Sequence, residues 1–232
     1  MSHLNKREKD TASINIIREG TWLNYYKDLW TNPVEKDNLY TGEVTMVDLI
    51  TYDELEEILK SFKNKKTPGS YDMNEELIKY APLEIKYRSL ELLNICWKKY
   101  RIPKEWLERI IYPIFKKGNR HECRNYRRIN LLNSAYKIST ELLTKRINII
   151  NEALLIKEQC GFRRGRSCSI FILQQLIQKR REFNLPIYFL FIDYEKAFGT
   201  VTRGKLWKIM EKKGYPDHLI KVIQSLYKNT TL

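Results

Sequence analysis

The 232-residue chain has little of what builds a metal finger, a secreted scaffold or a membrane protein. Its four cysteines, Cys96, Cys123, Cys160 and Cys168, stand at no finger spacing, and its histidines, His3, His121 and His218, complete no ligand set. The nearest approach to a ligand pair, His121 and Cys123, reads as coincidence. The thiols read as reduced, as expected of a cytoplasmic or nuclear protein. The opening MSHLNKREKD is polar and charged, unlike a signal peptide. No apolar run approaches membrane-span length, so no membrane partner is expected. Internal repeats and low-complexity tracts are absent as well.

What is present is a core and an excess of positive charge. Hydrophobic residues make up 43% of the chain, enough for a buried interior rather than a disordered tail. Lys and Arg number 42 against 28 Asp and Glu, a net charge of +14. Clustering decides what that excess means. From Lys98 to Arg128 there are eleven Lys or Arg and three Glu, so +8 of the +14 lies in one stretch. A cluster of this kind favours a polyanion partner, because it gains affinity by releasing phosphate counterions. An evenly solvated basic surface is the competing explanation.

Along the chain, residues 1–50 read as a linker or extension, with an aromatic stripe at helical spacing from Trp22 to Trp30. Thr51 with Glu54 is a capping-box pattern that opens a helix to about Phe62. Residues 64–73 (NKKTPGSYDM) form a basic turn, and helices are expected over Glu75 to Tyr80 and Tyr87 to Tyr100. Pro103 takes the first position of a helical turn before Trp106. Ile110 to Phe115 is short and apolar, a strand that Pro113 confines to a sheet edge or an irregularity. A long helix follows from about Ala135 to Leu155, then a Gly- and Arg-rich loop around Gly161 to Arg166. Ser167 can cap the next helix, to about Phe183. Ile187 to Ile192 (IYFLFI) reads as a strand buried on both faces and ending at Asp193. Helices from Gly204 to Lys213 and His218 to Tyr227 close the chain, separated by Gly214 and Pro216. This mixture is a layered α+β or α/β domain.

A buried strand that ends on a carboxylate can present a metal ligand, and such carboxylates bridge the ions of two-metal phosphoryl transfer. Asp193 alone could equally cap a turn. The surrounding residues weigh against that. FIDYEKAF, at 191–198, resembles motif A of reverse transcriptases, most closely that of non-LTR (LINE-type) retrotransposons. Five further stretches resemble the same family in the same order: WLNYYKDLW, TPGSYDMNEELIKYAP, IPKEWLERIIYPIFKKGNRHECRNYRRINLL, EQCGFRRGRSC and LWKIMEKKGYPDHLIKVIQSLY.

The resemblance implies an α+β fold of the right-hand polymerase type. Residues 51–184 would be a fingers-like region, and 185–232 a partial palm cut off within the palm. It implies RNA-directed DNA polymerase chemistry on an RNA template and a DNA primer, with Mg²⁺ as cofactor. Asp193 matches the first metal-binding aspartate. Phe198 matches the aromatic that disfavours a ribose 2′-hydroxyl, and the amides from Tyr194 to Ala197 would face the triphosphate as an anion nest. Lys116 and Arg127 match the basic fingers residues that grip that triphosphate, a task suited to a mobile ammonium and a planar fork. A solvated basic face remains open for Lys117, Arg120 and Arg124. Arg163, Arg164 and Arg166 would lie near template or primer backbone.

The pattern departs from the family in places. No Phe/Tyr-x-Asp-Asp turn occurs in the 232 residues, and one carboxylate does not hold a productive pair of ions. Gly199 stands where the family usually has Asp, which loosens the backbone there. Tyr71 replaces another usual Asp, with Asp72 beside it, and Arg128 replaces a usual Pro. The expectation is a chain that does not polymerise alone, with an unpaired edge at Ile187 to Ile192. A catalytically dead RNA- or hybrid-binding module is the alternative to an enzyme fragment.

Overall fold

A computed structural model describes residues 16–30, 48–163, 165, 169–194, 197–198 and 201–227. The first helix, α1 (Glu19–Trp30), carries the aromatic stripe. Next comes α2 (Tyr52–Ser61), opened by the expected box. Glu54 N–H donates to Thr51 Oγ1, and the Glu54 carboxylate accepts from the Thr51 N–H at 2.9 Å. Two donors that helix geometry leaves unpaired are thereby satisfied. Short α3 (Glu75–Lys79) and long α4 (Leu83–Lys99) follow. The latter begins four residues before the expected Tyr87 and ends at Tyr100 in the left-handed region, φ 51°. One turn, α5 (Lys104–Leu107), leads from Pro103 into β1 (Arg109–Phe115).

β1 pairs antiparallel with β2 (Tyr126–Leu132) in a two-stranded sheet, from Arg109 opposite Leu132 to Phe115 opposite Tyr126. Both strands are edges, which is where Pro113, lacking an N–H, is tolerated. Asn133 then caps α6 (Ser134–Leu154), its side chain accepting from the Ala135 N–H. The remaining helices are α7 (Ser169–Glu182), α8 (Arg203–Lys212) and α9 (Asp217–Tyr227). Gly214 separates the last two at φ +77°, where a side chain would be strained. Ser167, expected to cap α7, lies outside the described residues.

The main core joins α2, α4, α6 and α9 through Leu55, Leu59, Trp97, Ile138, Leu142 and Leu226. Each fully buried aliphatic there contributes about 1.5–3 kcal/mol relative to exposure. A second cluster sets Trp22 and Tyr26 of α1 on Tyr126 and Cys123, with Ile111 and Phe115 packed against them. A third joins Trp207 and Met210 to Ile220.

One expectation fails. Residues 187–192 are not a strand buried on both faces. They run without regular structure, with Tyr188 91% and Leu190 86% exposed. Burial of a strand requires a hydrogen-bonded neighbour and a covering layer. The ladder between β1 and β2 is the only one among the described residues, so this segment has neither.

Candidate nucleic-acid interface

The hairpin organises the basic region. Alternate residues of a strand face opposite sides, so the register sorts the pair into two faces. Ile111, Phe115 and Tyr126 turn toward α1, where Trp22 meets Tyr126 edge-on at 4.9 Å. Ile110, Tyr112, Ile114 and, across the ladder, Arg127, Ile129 and Leu131 turn the other way. Lys116 continues that open face, since its N–H donates to the Asn125 carbonyl at 2.9 Å. Lys116 and Arg127 are both exposed, and among the described residues neither side chain has a hydrogen bond or ion pair. Two cations are thus displayed on a stiff support and left available to an anion.

The connecting loop is held by its own contacts. Gly118 adopts φ +93°, and a side chain there would meet the Asn125 amide at 2.9 Å. That amide donates to the Asn119 carbonyl at 2.9 Å, and the Tyr126 hydroxyl donates to the Arg120 carbonyl at 2.9 Å. Arg120 lies over the Phe115 ring at 5.0 Å, and Arg124 pairs with Glu122 at 2.6 Å. Both neighbours therefore have partners within the loop, unlike Lys116 and Arg127. Burial, with Tyr25 and Cys123 beside it, pushes the Tyr26 phenol up to about 12 against the opposing pull of Arg128. Arg128, the residue in place of a family Pro, stands across from Pro113 on the α1 side.

Other departures also find structural partners. The Tyr71 hydroxyl donates to Glu108 at 2.9 Å, and Asp72 takes a left-handed turn at φ 52°. Gly69 packs so close to the β2–α6 junction that a Cβ would lie 2.7 Å from the Leu132 carbonyl oxygen.

The Arg-rich loop is less available. Arg163 donates to both carboxylate oxygens of Glu152, at 3.1 and 2.6 Å, and to the Ile156 carbonyl at 2.8 Å. Its side chain is nearly buried, tying the loop to the end of α6. Arg164 and Arg166 lie outside the described residues. Phe162, at φ +61°, meets Phe198 edge-on at 6.0 Å, and both rings are exposed.

Asp193 and Tyr194 sit on the exposed segment that follows α7. No group of three or more His, Cys, Asp or Glu that could hold a metal occurs among the described residues. One solvent-facing carboxylate does not fit a pair of Mg²⁺ ions, which need several oxygen ligands in tight geometry. Cys96, Cys123 and Cys160 take part in no disulfide among the described residues, and burial pushes the first two above the ordinary thiol range. No helix among the described residues is long and apolar enough to cross a membrane.

Sequence reasoning missed β2 and the half-buried Arg146. The alternation that signals a strand is broken by Arg127 and Arg128, and Arg146 looked like any exposed cation of a long helix.

Residues 114–231 match the family described as reverse transcriptase (RNA-dependent DNA polymerase). The chain is 31% identical over 183 residues to a "Probable RNA-directed DNA polymerase from transposon BS" of Drosophila melanogaster, covering 76% of the chain and 20% of that protein. It is 23% identical over 180 residues to a "Transposon TX1 uncharacterized 149 kDa protein" of Xenopus laevis, covering 77% of the chain and 14% of that protein. The chain thus spans a fifth or less of the length of these curated relatives.

Proposed function

The chain belongs to the reverse-transcriptase family, and from that premise we propose that it is the fingers and first palm portion of an RNA-directed DNA polymerase of a non-LTR (LINE-type) retrotransposon. In this reading the intact protein carries out template-directed nucleotidyl transfer on an RNA template and a DNA primer. The observation that carries the reading is the open face of the hairpin, with Lys116 and Arg127 exposed and, among the described residues, unpaired. Their task is to grip the incoming triphosphate, Arg127 by its planar fork and Lys116 by its mobile charge. Asp193 is assigned to the divalent metal on which the family's transfer relies, Mg²⁺ being the specific expectation. Tyr194 offers its amide to the phosphates, and Phe198 lies under the sugar. Arg164 and Arg166 approach nucleic-acid backbone, whereas Arg163 acts by holding their loop to Glu152.

A second reading, a binding module without catalysis, draws on Asp193 itself, which stands exposed without companion ligands among the described residues. Primer extension separates the two. With RNA template, primer, dNTPs and Mg²⁺, the 232-residue chain is expected to incorporate no more than an Asp193→Ala control. It should still bind RNA with an affinity that falls as salt rises. Incorporation above the control sinks the binding-module reading. Absence of RNA binding at low salt sinks both.

A further inference from the structure

Between α2, α4, α5 and α6 lies a cavity of about 400 Å³ that shares no wall residue with the open face of the hairpin. Its floor is the main core, at Leu55, Leu93 and Ile138. Its lip is apolar as well, since Tyr71, Met73 and Leu92 line it and are exposed. Trp106 of α5 adds a second ring to the wall. Apolar hollows of this size are where proteins hold small organic molecules, with a few polar groups setting which molecule is taken.

Four polar side chains of the wall are already committed. The Tyr71 hydroxyl donates to Glu108 at 2.9 Å, Ser89 Oγ to the Ile85 carbonyl at 2.8 Å, and Ser134 Oγ to the Met73 carbonyl. The Asn133 amide donates to the Glu105 carbonyl at 3.3 Å, and its oxygen accepts from the Ala135 N–H. These bonds tie the turn at Tyr71 to Met73, α5 and the start of α6 together, so the mouth is formed in advance. The Glu105 carboxylate differs. It is exposed, and among the described residues it has no hydrogen bond or ion pair. Lys104 precedes it, but adjacent residues of a helix do not face each other, and Lys104 is not part of the cavity wall. Glu105 and Glu108 act on the same mouth. The Tyr71 phenol is held above its ordinary value first by its hydrogen bond to Glu108, then by burial and by the charges of Glu108 and Glu105. On a chain of net charge +14, this is a negative mouth over an apolar floor.

We infer that this cavity binds a small organic cation of the aryl-alkyl ammonium class, its ring on the apolar floor between Tyr71 and Trp106 and its ammonium at the Glu105 carboxylate. Burial of the apolar body supplies the affinity, and the carboxylate supplies the selectivity. A neutral molecule of the same shape forgoes the ion pair, and an anion is repelled. A polypeptide partner needs roughly 800 Å² on each side for a stable interface, whereas this cavity takes one aromatic body whole.

The test titrates the 232-residue chain with phenylbutylamine, phenylbutanol and phenylbutyrate, followed by amide and indole N–H chemical shifts in NMR. Binding should saturate in the order amine, alcohol, carboxylate, with shifts centred on Ser89 and Trp106. At low salt the amine should bind about 2- to 5-fold tighter than the alcohol, the range of one exposed ion pair, and added salt should narrow the gap. Glu105→Gln should bring amine and alcohol together, and Glu105→Asp should keep them apart. Glu105 is exposed, so its variants should match the unmodified chain in circular dichroism. Ser89→Phe, which fills the cavity from α4, should abolish binding of all three. Equal binding of the three probes overturns the inference, as does an amine preference that survives Glu105→Gln or an absence of binding by every probe. Tighter binding of a capped Phe-Lys dipeptide than of phenylbutylamine overturns it too, in favour of a polypeptide occupant.

Discussion

Arg146 is a clasp whose removal can be priced from its contacts. Its guanidinium donates to both Glu54 oxygens, at 3.0 and 2.8 Å, and to the carbonyls of Asp48 and Leu49, at 2.6 and 2.8 Å. It also lies over the Trp97 ring at 4.9 Å. Side-chain exposure is 13% for Arg146 and 22% for Glu54, between the exposed and buried cases. An exposed pair contributes about 0–1 kcal/mol, and breaking a buried one costs about 3–5 kcal/mol. Arg146→Ala should therefore cost about 2–3 kcal/mol, or about 4–12 °C in Tm for a domain of this size. Glu54 also closes the α2 cap, so Glu54→Gln weakens both functions. A double-mutant cycle by chemical denaturation isolates their coupling, expected above about 1 kcal/mol. The same contact predicts a pH dependence. Arg146 above all holds the Glu54 carboxyl below its ordinary value. This stabilisation is fully present above about pH 4.3, the value of an unperturbed Glu, and is lost as pH falls through the lower folded value. A cost under about 0.5 kcal/mol, with coupling near zero, would refute the clasp.

Gly69→Ala should destabilise by about 1–3 kcal/mol, because the new methyl meets backbone at the β2–α6 junction rather than a movable side chain; thermal unfolding measures it, and a neutral result means the loop yields. His218 is buried against Trp97 and shares a hydrogen bond with Tyr100 at 2.9 Å. Burial, with the charge of Arg146 adding, pushes its imidazole below the ordinary value. Its contribution is intact above about pH 6.5 and is lost as pH falls from there through the folded value. His218→Gln should flatten that loss between about pH 7 and 5 in a denaturation series; an unaltered pH profile contradicts the assignment.

Local signals in the chain reported local structure well. The Thr51–Glu54 box, the Gly214 stop and the edge position of Pro113 each depend on neighbours within a few residues, and each stands as the sequence pattern implied. The ordered run of motifs likewise pointed to the family that residues 114–231 match. Partnership across the fold was not legible. IYFLFI has the composition of a buried strand, yet nothing in its own residues supplies the neighbour that burial requires, and it lies exposed. Arg163 and Arg127 look alike as basic residues of basic motifs. Only the packing commits one to Glu152 and leaves the other, among the described residues, without a partner on an open strand face. Charge and periodicity are properties of the chain, so the sequence alone determined that a polyanion partner was to be sought. Which cations remain available to that partner depends on where carboxylates and carbonyls from distant segments come to rest, and that only the tertiary structure decided.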